Sequence, residues 1–526
     1  MAANDGKAGA LNAGADSSTL SKDLLASVVV FLVALPLCMG ISLASGMPAT
    51  VGIITGIVGG IIVGAIAGAP LQVSGPAAGL AVLNYQLVQQ FGLEMIGIIV
   101  LFAGLIQFAA GSLKLGQWFR AVSPAVIHGM LAGIGILIFA KQFHFMLDGD
   151  SHGSGINDLL AIPGAIWSAL QNRDNHFSAG TIGALTIGSI FAWAAFAPKS
   201  LKVIPAPLVG VLVGMATAGF LHFDQIKYVQ VPNNIWSTVI YPTPEKFAKF
   251  FADYHMIIGA ITIAFIASAE TLLCATAVDQ MHSGPRTKYD QELSAQGVGN
   301  TICGFLGVLP MTGVIVRSGA NVEAGAQTRA SAILHGIWLL LFASLLPWTL
   351  TYIPLSTLAA VLVFTGYKLA YPKIVPALLK YGKAEVFIYL ATIATIVSTD
   401  LLKGVLTGLG LSLLKLLYAF SHLDIRKDET AGSKRVDLHL EGTATLIKLP
   451  KLAATLEGLQ PGAEVHVHIK DLDYIDHACL DLLTNWDKQH KGTGGSLTIE
   501  WDDLAQKYHD RHGTGPDAAK TAAKPV

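Results

Sequence analysis

A chain of 526 residues that is 52% hydrophobic and only 13% charged, with mean hydropathy +0.56, is too apolar for a soluble domain, which carries about 25% charged residues. Its formal net charge of −1 leaves no basic excess for nucleic acid or a polybasic lipid anchor. Cys38, Cys274, Cys303 and Cys479 are scattered without a CxxC, as reduced thiols are rather than a disulfide or zinc framework. The lipid bilayer is the expected partner, and nucleic acid is not.

Residues 1–21 are rich in Ala, Gly and Ser and lack the basic-then-apolar order of a signal peptide, so a disordered cytoplasmic leader is expected. Hydrophobic segments then recur through residues 22–422, the predicted transmembrane domain. The first half, about 24–221, gives spans near 24–40, 48–66, 71–86, 95–112, 122–140, 181–197 and 203–221. The second, about 255–420, gives 255–278, 293–308, 309–325, 329–346, 354–370, 384–399 and 404–420. Fourteen spans as seven plus seven force the halves into opposite orientations, an inverted repeat. The connections predicted inside carry Lys114, Arg120, Lys199, Lys202, Arg286, Lys288, Lys368, Lys373, Lys380, Lys383, Arg426 and Lys427, while the turns at 41–48 and 347–353 carry no charge. That is the positive-inside pattern, with both termini cytoplasmic. The stretches 141–180 and 222–254 read as longer external loops.

Beyond residue 420 the pattern changes. Residues 436–440, 464–469 and 496–501 alternate like strands, and 446–459 and 478–489 read as amphipathic helices. A small cytoplasmic α/β domain over 435–508 and a disordered tail over 509–526 are expected.

Two segments, one in each half, are broken by Gly and Pro: Gln72-Val73-Ser74-Gly75-Pro76-Ala77-Ala78-Gly79, and residues 309–321 with Gly313-Val314-Ile315-Val316-Arg317-Ser318. Neither can cross a bilayer as one helix, which takes about 20 apolar residues. Paired broken segments point to a transport site at the membrane midplane. Ser74, Gly75 and Pro76 end an extended stretch, and from Ala77 onward free backbone N–H groups open a half-helix, where Pro is tolerated in the first turn. Gly313, Val314 and Ile315 play the extended part in the second half, and Arg317-Ser318 begins the helix. Two helix N-termini and a guanidinium favour a small anion.

Glu270 lies mid-span in Ala267-Ser268-Ala269-Glu270-Thr271-Leu272 with no neighbouring Lys or Arg. A charge at the bilayer centre costs about 3 kcal/mol, so it lines a cavity or titrates. A proton carrier, a sodium ligand with Thr271 and Cys274, a neutral partner of the anion, and a structural carboxyl all remain open. A sulfur at Cys274 makes a poor sodium cage, which tilts the reading toward proton coupling or anion exchange. No organic cofactor is implied, and sodium or proton are the candidate coupling ions. No nucleophile–base or metal-ligand spacing suggests an enzyme. Asp279, Asp290 and Glu292 read as solvated loop charges, His128, His144, His152, His176 and His335 as surface or packing residues, and Asn84 and Gln107 as interhelical hydrogen bonders.

The stretch Phe31-Leu32-Val33-Ala34-Leu35-Pro36-Leu37-Cys38-Met39-Gly40 resembles the first span of SulP-type inorganic-anion transporters, and residues 71–79 resemble their broken third span. Arg317-Ser318-Gly319-Ala320-Asn321 with the following Ala324-Gly325-Ala326-Gln327-Thr328 resembles the start of their tenth span. Asp471-Leu472-Asp473-Tyr474-Ile475-Asp476-His477-Ala478 looks like the core of a STAS domain, with His477 where antagonist relatives carry a phosphorylated Ser. The resemblance covers about residues 22–505. It implies a core of spans 1–4 and 8–11, a gate of spans 5–7 and 12–14, elevator-type movement, a homodimer and a bacterial inner (plasma) membrane. It implies bicarbonate as the first substrate candidate, with sulfate, chloride and dicarboxylates behind it, and an acidic residue beside the substrate at Glu270. Leu37 and Ile41, where relatives place a Gln and an aromatic, read as core packing. A proton-coupled nucleobase symporter of the same fold and a membrane-tethered STAS signalling protein are the competing readings.

Overall fold

The computed structural model describes residues 17–119, 123–171, 175–198, 201, 204–221, 226–232, 234–370, 374–420, 422–429, 434–469 and 472–499. Arg120, Lys199, Lys202, Lys373 and Asp471, the first 16 residues of the expected leader, the tail, and 500–508 of the expected C-terminal domain lie outside them. The chain divides into two compact units, residues 1–409 and 410–526.

In chain order the helices of the first half are α1 (Ser17–Ala44), α2 (Ala49–Val58, prolonged by a π turn at Gly59–Val63), then strand β1 (Ser74–Pro76), α3 (Ala78–Phe91), α4 (Leu93–Ser112), α5 (Pro124–Met146), α6 (Gly155–Gln171), α7 (Asn175–Phe196) and α8 (Ala206–Leu221). The second half runs α9 (Tyr254–Met281), α10 (Tyr289–Phe305), strand β2 (Met311–Gly313), α11 (Ile315–Glu323), α12 (Ala330–Leu345), α13 (Leu355–Ala370), α14 (Lys383–Ser398) and α15 (Leu401–Phe420). The order helix, helix, strand and short helix, then four helices occurs twice, with α6 extra in the first half. Among the described residues, eight helical segments are long and apolar enough to cross a membrane.

Within residues 1–409, α4 packs along α10, α1 along α12, α5 along α13 and α14, and α7 along α8. The α4–α10 seam is made of glycines. A Cβ added at Gly104 would stand 2.2 Å from the Thr301 nitrogen, and one at Gly304 would stand 2.1 Å from the Leu101 nitrogen. Two backbones in contact gain dispersion energy where lipid offers no hydrophobic drive.

Several expectations change here. Residues 17–21 open α1 rather than belonging to the leader. The stretch 141–180 holds the helix α6, whose apolar stripe is too short to announce a span. Asp279 and Glu292 are not solvated. Asp279 accepts from the Thr287 hydroxyl at 2.9 Å, and Glu292 is 0% exposed. All four cysteines are buried free thiols.

The second unit carries β3 (Leu423–Glu429), β4 (Arg435–Ala444), α16 (Leu449–Glu457), β5 (Glu464–His468), β6 (Leu472–Ile475), α17 (His477–Lys491) and β7 (Ser496–Ile499). The sheet starts earlier than expected, because Leu423–Glu429 pairs antiparallel along Val436–Gly442. Apart from Leu423 and Ile425, which face inward, β3 is charged throughout, with Asp424, Arg426, Lys427, Asp428 and Glu429, and this masks it in the sequence. Asp476 caps α17 by accepting from the Cys479 N–H at 2.9 Å, and His477 is the first helical residue.

Candidate functional site

The two broken segments meet. β1 and β2 pair antiparallel with Ser74 opposite Gly313, Gly75 opposite Thr312 and Pro76 opposite Met311. Three residues per strand satisfy backbone groups that lipid would leave unpaired. Each strand runs straight into a helix. Ala77 precedes α3 and Val314 precedes α11, both in extended conformation and neither with a capping side chain. The first N–H groups of both helices are thus free of protein caps, where Ser, Thr, Asp or Asn would ordinarily accept from them.

A polar scaffold holds this hairpin from behind. Glu292 accepts from the Ala69 N–H and from the amides of Gln72 and Gln296, each at 2.9 Å, and Gln296 donates to the Ser74 hydroxyl at 2.6 Å. Asn300 brackets Met311, accepting from its N–H at 2.7 Å and donating to its carbonyl at 3.0 Å, and takes in Gln107 at 2.7 Å. Gln107 bonds between helices as expected, whereas Asn84 Oδ1 finds no partner among the described residues.

The first turns of α11 brace the strand approaching β1. Asn321 donates to the Leu71 carbonyl at 3.0 Å, Ser318 accepts from the Val73 N–H at 2.9 Å, and the Arg317 guanidinium lies against Gly75, where an added Cβ would stand 2.1 Å from Nη1. Arg317, Ser318 and Asn321 thus meet Gly75, Val73 and Leu71, one after another back along the chain. Thr328 closes the same motif by donating its hydroxyl to Asp23 of α1 at 2.5 Å.

A cavity of about 470 Å³ opens in front of the hairpin. Ala78 of α3 and Gly313, Val314, Ile315 and Val316 at the start of α11 form one side. Glu270, Cys274, Thr276 and Gln280 of α9 form a second, and Leu37 and Ile41 of α1 a third. Pro124, Ile127, His128 and Leu131 of α5 with Thr365 and Leu369 of α13 close it. Glu270 Oε2 is buried with no hydrogen-bond partner among the described residues, and its carboxylate occupies the space a Cβ at Gly79 would take, 2.6 Å away.

Of the expected site residues, Glu270, Cys274, Gly313, Val314 and Ile315 line the cavity. Ser74, Gly75, Pro76, Ala77, Thr271, Arg317 and Ser318 do not. Thr271 instead accepts from the Gly313 N–H at 3.0 Å, Ser318 is spent on Val73, and Arg317 is behind the strand, fully buried, with Nη2 3.3 Å from Cys38 Sγ. Its Nε and Nη1 have no partner among the described residues. Leu37 and Ile41, read as packing, wall the cavity, and so does His128. An apolar position on a helix gives no sign in sequence of whether a neighbour or a void faces it.

The sulfate permease family model matches residues 20–392. The chain belongs to the sulfate permease family. Among curated proteins, YvdB of Bacillus subtilis, whose name assigns it to sulfate transport, is 27% identical over 509 residues, 92% of each chain. The bicarbonate transporter BicA of Picosynechococcus is 24% identical over 436 residues, 80% of this chain and 74% of that one. Among solved structures, the murine solute carrier 26 family member A9 anion transporter matches with a TM-score of 0.75 at 14% identity, over 95% of this chain and 88% of that one. As a sulfate permease family member the chain is a multi-pass membrane protein of an anion-transporting family.

Proposed function

We propose that this protein is a secondary transporter of a small inorganic anion, with bicarbonate as the first candidate and sulfate, chloride or a small dicarboxylate as alternatives. The observation that supports it is the convergence of two uncapped helix starts and one unpartnered carboxylate on a single cavity. Each helix start contributes roughly half a positive charge. Arg317 adds one from behind β1, acting on the cavity as a fixed charge rather than a ligand. The sum is roughly +2, and an ionised Glu270 lowers it to roughly +1. A monoanion suits the second state and a dianion the first. Glu270 is therefore the group through which a proton or the charge of the anion is counted.

Sodium is the weaker coupling ion. It needs hard oxygens, and Thr271 already accepts a backbone N–H while Cys274 offers sulfur. Transport proceeds by movement of α1–α4 with α9–α12 against the set built on α5, α7, α8, α13, α14 and α15, in a homodimer. The membrane is the bacterial inner membrane, with both termini cytoplasmic. Residues 423–499 form a STAS-like module for folding, dimer contact or regulation without catalysis. A neutral nucleobase would gain nothing from a buried Arg317, and a signalling protein would not need an open cavity.

The test is uptake of labelled bicarbonate and sulfate into proteoliposomes, with imposed proton or sodium gradients and varied internal anion. Accumulation driven by a proton gradient, or uptake needing only internal anion, is expected, and failure to carry any of the named anions would sink the reading. In Glu270→Gln the charge no longer changes with pH, so the pH dependence of uptake flattens and sulfate gains on bicarbonate. An unaltered profile would make Glu270 structural.

A further inference from the structure

A second group of chemistry-bearing side chains lies at the far end of α5 from Pro124. His144 sits in the last turn of α5, His152 in the following loop and Asp158 in the first turn of α6. One ligand atom from each lies within 4.8 Å of the other two. His144 and Asp158 are buried, at 2% and 3% exposure, and the His152 side chain is half-exposed. The two imidazoles stand 4.8 Å apart at 60°. Their sequence spacing follows no metal motif, because a loop, not a helix face, brings them together.

Hydrogen bonds tie the group together. His144 Nε2 is 2.8 Å from the Asp158 carbonyl, and donation there leaves Nδ1 as the basic nitrogen of that ring. Asp158 Oδ1 accepts from the His152 N–H at 2.5 Å and Oδ2 from the Ser151 hydroxyl at 2.9 Å. The His152 ring nitrogen Nδ1 lies 3.6 Å from the same carboxylate. Metal-ligating imidazoles are ordinarily fixed by such a second partner. Lys141, one turn earlier on α5, places its ammonium over the Tyr85 ring and makes no salt bridge with Asp158 among the described residues, though the two charges act on each other through space.

Two nitrogens and one oxygen suit zinc and its neighbours, not magnesium or calcium, which call for oxygen alone. Zinc–ligand bonds of about 2.0–2.2 Å require the three atoms to draw in by roughly 1 Å, which the half-exposed His152 can supply by rotation. We propose that His144, His152 and Asp158 form a site for one divalent transition-metal ion of the zinc class, with its remaining position open to water. The site is independent of the anion cavity. Thirteen residues of helix, about 20 Å, separate His144 from Leu131, the last α5 residue that lines the cavity.

The experiment titrates Zn²⁺ and then Co²⁺ into metal-stripped, detergent-purified full-length protein, read by calorimetry, visible absorption and thermal unfolding. Saturable one-to-one binding with a raised unfolding midpoint is expected. His152→Ala, at a half-exposed position, lowers the affinity at least tenfold. His152→Cys restores binding and adds a sulfur-to-cobalt charge-transfer band, which a merely structural histidine would not give. Equal affinity and stoichiometry in wild type and His152→Ala, or no saturable binding, overturns the assignment and leaves the cluster as a loop brace.

Discussion

Arg317 carries a full charge into a place where no carboxylate pairs with it among the described residues. The partner of its Nη2 is a thiol, and two of its nitrogens go without partners among the described residues. A buried charge left unpaired costs several kcal/mol, and in the function proposed above the anion before the hairpin offsets it. Arg317→Ala is expected to raise the KM for the anion about tenfold or more, while Arg317→Lys, keeping the charge, loses less. Radiotracer uptake together with monodisperse elution of both variants checks this. Equal losses in the two would mean that the planar fork, not the charge, is what matters. That an Arg stands in the interrupted segment was legible in the sequence. Its direction was not. The side chain turns behind the strand because Gly75, in the other half of the chain, has no Cβ to exclude it. Glu292 was hidden for a related reason. It stands near a predicted loop, and only the amides of Gln72, Gln296 and Ala69 show why it is buried.

At the scale of elements, α3 and α11 begin without a capping side chain, which leaves their first donors free of side-chain acceptors. Val314→Ser puts a hydroxyl where it can accept from those donors. A cap is worth about 1 kcal/mol, so α11 becomes more stable while KM rises roughly fivefold. A higher unfolding midpoint paired with weaker uptake is the expected signature, and unchanged KM would remove the α11 start from the site. The two interruptions were legible from Gly and Pro. The strands were not, because three residues show no alternation. Nor could sequence join them, since pairing across the two halves leaves no local mark. The helix α6 and the charged strand β3 were hidden for the opposite reason. Their periodicity is real, but α6 is too short for a span and β3 too polar to read as buried.

At the scale of the whole molecule, both halves contribute to everything that defines the cavity. The first supplies Ala78 of α3, α1 and α5, and the second supplies Gly313 of β2, Glu270 and α13. Expressed separately, residues 1–221 and 222–526 are expected to be degraded, and co-expressed they should restore uptake, as measured by protein yield and transport in cells. A stable first half on its own would show that β1 finds other partners. Fold class and repeat number were readable from hydropathy because lipid imposes them residue by residue. The scaffold of Glu292, Asn300 and Gln107 was unreadable because its bonds join helices distant in sequence.

The pairing of β1 with β2 also sets a timetable. While the ribosome works through the second half, residues 74–76 wait inside the membrane with their backbone groups unmatched, a condition lipid penalises by several kcal/mol per group. At about 5–20 residues per second the wait lasts some tens of seconds. Throughout it the nascent protein is a partly inserted client that needs shelter from the insertion machinery or from water drawn into the bilayer. That wait ends when the tenth span arrives.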